Sequence, residues 1–128
     1  MIKIIQRPWS DSTPSDLRGS CLDDVAQIRA EVEAGKSHLY HITGESVDVW
    51  AVTRGEVVGQ KAELVVCCVG GVGMQAAGVA LKKAAIEQGF QSIRYHSHKP
   101  SVQKLYEKYG FAGQEVERVY RIDLGGVV

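Results

Sequence analysis

Ala62-Glu63-Leu64-Val65-Val66-Cys67-Cys68-Val69-Gly70-Gly71-Val72-Gly73 decides how the rest of the chain is read. The run from Ala62 to Val69 is almost continuously apolar, as in a central strand covered on both faces. The glycines over 70–73 read as a turn. An Ala-rich segment follows to about Gln88 and reads as a helix. A strand, a glycine turn and a helix N-terminus, in that order, make an anion site. Backbone N–H groups without helical partners, and the positive end of the helix dipole, point into the turn. The spacing is not the dinucleotide fingerprint, since Gly71 and Gly73 are followed by Ala76, and no Gly-Lys-Ser/Thr follows to make a P-loop. A tight turn that binds nothing is the plain alternative.

Downstream, Ser92-Ile93-Arg94-Tyr95-His96 reads as a strand and Pro100 to Tyr109 as a short helix. Pro100 suits the first helical position and Gly110 the one after the last. Val102, Leu105, Tyr106 and Tyr109 share its apolar face, so Leu105 and Phe111 are expected to be buried. A final strand is expected over about 113–124. Upstream, Ile2, Ile4 and Ile5 suggest a strand ended by Pro8. Leu22, Val25, Ile28 and Val32 fall on one helix face, with Gly35 as the stop. Strands near 37–43 and 46–53 flank a turn at Gly44-Glu45. In the second of these, Val47, Val49 and Ala51 alternate with Asp48, Trp50 and Val52. Residues 54–60 read as a loop. The strand–helix–strand order of the second half implies parallel pairing there, and the hairpin implies antiparallel pairing in the first half. The expected fold is α/β, a mixed parallel and antiparallel sheet flanked by helices on both faces.

A chain of 128 residues is read as one domain, 1–128. Lys+Arg and Asp+Glu are equal at 15 each, so net charge is zero and nothing favours a general nucleic-acid or membrane-surface binder. Three cysteines, without a C-x-x-C pair, suggest a reducing compartment, and a cytoplasmic protein is expected. No run approaches the length of a membrane span.

The apolar strand, the glycine turn, the helix ending Glu87-Gln88-Gly89-Phe90, the next strand and the run Leu105-Tyr106-Glu107-Lys108-Tyr109-Gly110-Phe111 together resemble the GNAT superfamily of N-acyltransferases. The resemblance spans about residues 61–124. It implies transfer of an acetyl group from acetyl-coenzyme A to an amine on a small molecule or a protein. It implies that Cys68, Val69, Gly70, Gly71, Val72, Gly73 and Met74 hold the cofactor, with a strand N–H near Val69 on the thioester carbonyl. Tyr106 would return a proton to the departing thiolate, and Glu63 or water would take one from the amine. Two positions depart from the family's pattern. Cys68 stands where Gln or Arg is usual, and Lys99 where Asn is common.

Other residues bear chemistry without a motif. His96 and His98 would share a strand face as half a metal site, but no third ligand is in sight and no metal is expected. Cys67 and Cys68 read as buried small residues rather than nucleophiles. Trp9 and Trp50 suit either an acceptor pocket or the core. Two other readings stay open: a catalytically silent GNAT-like module, as in a phage or mobile element, and a nucleic-acid-modifying relative, against which the neutral charge speaks. The reading also allows a homodimer.

Overall fold

The computed structural model describes residues 1–96, 114–116 and 119–124. The strands are β1 (Lys3–Arg7), β2 (His38–Gly44), β3 (Val47–Val58), β4 (Lys61–Val72), β5 (Ser92–His96), β6 (Gln114–Val116) and β7 (Val119–Asp123). The helices are α1 (Thr13–Asp16), α2 (Val25–Glu33, entered through a 3₁₀ turn at Leu22–Asp24) and α3 (Met74–Glu87). The last predicted helix, with Leu105, Tyr106 and Phe111, lies outside the described residues.

The strands form one sheet in the order β1-β2-β3-β4-β5-β7-β6. β1 to β4 are paired antiparallel, and β4 and β5 are parallel, joined across α3. The expected alternation in β3 puts Val47 and Val49 under α3, and Val52 and Trp50 on the opposite face under α2. On the α3 face, Leu81 and Ala85 pack on Leu64, Val66, Ile93 and Tyr95. On the other face, Leu17, Cys21 and Ile28 pack on Leu39, Val52 and Cys68. Helices therefore cover both faces, and completely buried side chains such as Leu39, Val49 and Ile93 each stabilise the sheet by about 1.5–3 kcal/mol.

Three expectations need correction. The loop expected over 54–60 is mostly strand, because β3 continues to Val58 and turns at Gly59, whose φ is +66°. Gly55 is inside that strand because the Phe90 ring lies over it, 3.3 Å from where a Cβ would stand. The hairpin turn after β2 is Glu45-Ser46 rather than Gly44-Glu45, with Ser46 at φ +58°. The single final strand is two antiparallel strands, and β7 rather than β6 sits against β5. β6 does run parallel to β5, but β7 is inserted between them, so parallel pairing in the second half stops at β4–β5.

Candidate functional site

The site begins where β4 loses a neighbour. β5 pairs with β4 only from Glu63 to Val66, matched to Ser92 through Tyr95. β3 stays paired with β4 as far as Val72. From Cys67 onward, the edge of β4 that faces β5 has no strand partner among the described residues. The pairing with β3 also slips here: Val52 faces Cys68 and Thr53 faces Val66, which leaves Cys67 as an extra, unpaired residue. An extra residue bends a strand and increases its twist, and such bulges turn backbone groups toward active sites. The bend at Cys67 and the parting of β4 from β5 coincide. Next to the gap, Val66 and Val69 of β4, Tyr95 of β5, and Met74, Ala77 and Leu81 of α3 enclose an apolar cavity of about 30 Å³.

The glycine turn is shorter than the sequence reading has it. Gly70, Gly71 and Val72 are still strand, and only Gly73, at φ +81°, turns the chain into α3 as its N-cap. The glycines are there for the protein's own backbone. A Cβ on Gly70 would meet the Leu17 carbonyl at 2.3 Å, one on Gly71 the Asp48 carbonyl at 2.1 Å, and one on Gly73 the Ser46 carbonyl at 2.5 Å. The space that a side chain would take is therefore filled by neighbouring strands and by the end of α1.

What remains for an anion is the helix itself. Gly73 offers no side chain to cap α3, and no acidic residue lies in its first turn. The Met74, Gln75 and Ala76 N–H groups have no helical acceptors, because the first intrahelical bond is from Ala77 to the Gly73 carbonyl at 3.1 Å. Gln75 is exposed and Ala76 half-buried, so these amides lie near solvent. An open groove of about 570 Å³ runs past them on the side away from β5, between Ile2 and the Glu45-Ser46 turn. The Glu45 carboxylate on its wall suits an anion poorly. On the other side, the edge of β4 that is unpaired among the described residues runs beside the apolar cavity.

Glu63 lies elsewhere. It is 1% exposed, on the α2 face, four residues before the bulge and so roughly 13 Å from it along the strand. Its Oε1 accepts from Ser92 Oγ at 3.1 Å and its Oε2 from Arg94 at 3.1 Å. Arg94 also reaches Glu56 at 2.7 Å, Glu56 accepts from Arg54 at 3.0 Å, and Arg54 reaches Glu31 at 3.2 Å. Glu31 and Glu56 are both held below the ordinary carboxylate value. For Glu31 the main cause is the hydrogen bond from Gln27. For Glu56 burial pushes up, and Arg54 and Arg94 outweigh it. Sequence reading misses this chain of charges because its members come from four elements, and only the strand register brings them together.

Cys67 sits at the bulge beside Arg54, yet burial pushes its thiol up to about 11. Trp9 and Trp50 both pack against the α2-side core. Trp50 also carries the His41 ring, stacked with centroids 4.0 Å apart, and His41 Nε2 lies 2.6 Å from Asp48. No group of His, Cys, Asp or Glu among the described residues has the arrangement of a metal site. His98 and Tyr106 lie outside the described residues. No described helix is long and apolar enough to cross a membrane.

No protein-family profile matches the chain, and no curated protein matches it in sequence. Solved structures do match in shape. A GNAT-family protein from Desulfovibrio desulfuricans has a TM-score of 0.59 at 14% identity, over 98% of this chain and 100% of that one. A GNAT-family acetyltransferase from Listeria monocytogenes has a TM-score of 0.57 at 13% identity, over 94% and 95% of the two chains. AtaT matches in its AtaTR complex bound with AcCoA, with a TM-score of 0.59 at 9% identity over 98% and 95% of the chains. It also matches in its complex with acetyl-methionyl-tRNAfMet, with a TM-score of 0.54 at 11% identity over 96% and 95%. Strand order, the parting of β4 from β5 and these likenesses agree: the chain has a GNAT-like fold.

Proposed function

We propose that the protein is an N-acyltransferase that takes its acyl group from acetyl-coenzyme A. The observation that carries the proposal is the coincidence of the Cys67 bulge, the opening between β4 and β5, and the uncapped N-terminus of α3. Bound there, the thioester supplies an activated acyl group. Backbone N–H groups of Cys67 to Val69 on the open edge donate to the carbonyl oxygen as it gains charge, a contribution preorganised by the sheet. The Met74, Gln75 and Ala76 amides hold phosphate. Tyr106 gives its phenolic proton to the leaving sulfur. The proton of the incoming amine goes to water rather than Glu63, because both oxygens of Glu63 already accept hydrogen bonds and the residue is sealed.

The acceptor is a primary amine on a small molecule or a protein. The likeness to AtaT adds the amine of an aminoacyl-tRNA to the panel, against the neutral net charge. A silent module has its own support, since the glycine spaces are filled by protein backbone and not left for a ligand. A thermal shift with acetyl-coenzyme A separates the two. At millimolar ligand a Kd below roughly 200 µM gives more than about 1 kcal/mol of stabilisation. No shift at that concentration would leave the silent module as the better reading.

A further inference from the structure

The bulge at Cys67 has a second effect. Cys67 and Cys68 both pack on the α2 side of β4, and the Cys68 Sγ lies 2.7 Å from the Sγ of Cys21, 47 residues away in the sequence. All three cysteines are free thiols. Cys21 is 5% exposed and Cys68 is 3% exposed, with Leu17 and Val52 around them. We infer that Cys21 and Cys68 are a site of reversible oxidative cross-linking, which fastens the segment between α1 and α2 to β4 beside the bulge.

A disulfide needs its sulfurs about 2.05 Å apart, so little movement separates the thiol pair from the bonded state. The pair shares its protons unequally. Their hydrogen bond, in which either sulfur can donate, lowers Cys21 and raises Cys68. Cys21 is therefore the thiol that ionises first and attacks. With hydrogen peroxide as oxidant, the Cys21 thiolate takes one oxygen, the O–O bond breaks, and the hydroxide released is protonated to water. The Cys68 sulfur then attacks the Cys21 sulfur and displaces the oxygen it had gained. The S–O bond breaks, the S–S bond forms, and the Cys68 proton leaves with that oxygen as a second water. Two thiols lose two electrons and the peroxide gains them. Arg18 and Gly19, just before Cys21 in the chain, are both exposed. Cys67 shares the bulge but lies against Arg54, with its Sγ 3.9 Å from the guanidinium, and takes no part. The tether would hold the segment that follows Leu17, whose carbonyl already abuts Gly70.

The test is peptide mapping of the folded protein after hydrogen peroxide, with and without later dithiothreitol. It needs no acyl donor, so it stands apart from the acyl-transfer reading. Trypsin should release residues 19–29 joined to 62–82, two hydrogens lighter than the separate peptides, with fragmentation placing the bond at Cys68. Closing a loop of this length should raise the melting temperature by roughly 10 °C, and dithiothreitol should reverse it. Cys67→Ser should keep the cross-link and Cys21→Ser should lose it. A bond through Cys67, or thiols still free in folded wild type after excess peroxide, would overturn the proposal.

Discussion

At the scale of single residues, the glycines before α3 are the clearest case of a pattern whose type is legible and whose reason is not. Their spacing in the sequence points to a turn for a phosphate. The structure uses Gly71 to let β4 approach Asp48, a cross-strand contact that no local reading contains. Gly71→Ala should therefore cost about 2–4 kcal/mol, from crowding at 2.1 Å and a φ of +136°. Gly35→Ala, at φ +78° with open space around it, should cost only about 1–2 kcal/mol. Urea midpoints for the two variants decide the matter, and equal losses would mean that the contact with Asp48 is not what holds Gly71. Tyr106 and Glu63 divide in a similar way. Tyr106→Phe should lower turnover by about 10²–10⁴. Glu63→Gln should keep turnover and lower stability instead, by about 2–4 kcal/mol, because Arg94 then loses the charge of its one buried carboxylate partner. The reverse pattern in steady-state rates and melting curves would return the base to Glu63.

At the scale of elements, the amphipathic spacing of α2 and the alternation of β3 are visible in sequence because one periodicity fixes each face. The extent of β3 is not, since Gly55, which looks like loop punctuation, sits in the strand where Phe90 comes close. The helix α3 gives a test with opposed signs. Gln75→Glu puts a negative charge in its exposed first turn. That charge should favour the helix dipole by about 0.3–1 kcal/mol. It should also repel a pyrophosphate at the same amides, so the shift with acetyl-coenzyme A should shrink while the unliganded melting temperature holds or rises. An unchanged ligand shift would move the phosphates away from α3. The ion-pair chain across α2, β3, β4 and β5 gives a pH test. Glu31 and Glu56 are held low when folded, so their contribution is full above the ordinary carboxylate pKa and is lost as pH falls through the lowered folded values. Urea unfolding should show stability declining below about pH 4.5, and Arg54→Met should flatten that decline.

At the scale of the whole molecule, the fold class is legible because strand, helix and strand follow one another in the second half with the right lengths. The strand order is not, because β7 enters between β5 and β6, and nothing in the local pattern of residues 113–124 announces it. Removing residues from Val119 onward should therefore do more than trim an end. It strips β5 of its antiparallel partner, leaving only β4 beside it, and takes away Leu124, whose N–H bonds to Gln91 and whose side chain packs on Ile93 and Tyr95. The shortened protein should lose its cooperative melting transition, and a sharp transition near that of the full chain would contradict the insertion. The same insertion bears on synthesis. A ribosome makes β6 before β7, yet β6 has no place in the sheet until β7 lies against β5. β2, β3 and β4 can pair in hairpin fashion as they emerge, while β6 must wait with its hydrogen-bonding edge bare. For that interval the nascent chain carries an unsatisfied strand, and the order of translation runs against the order of assembly.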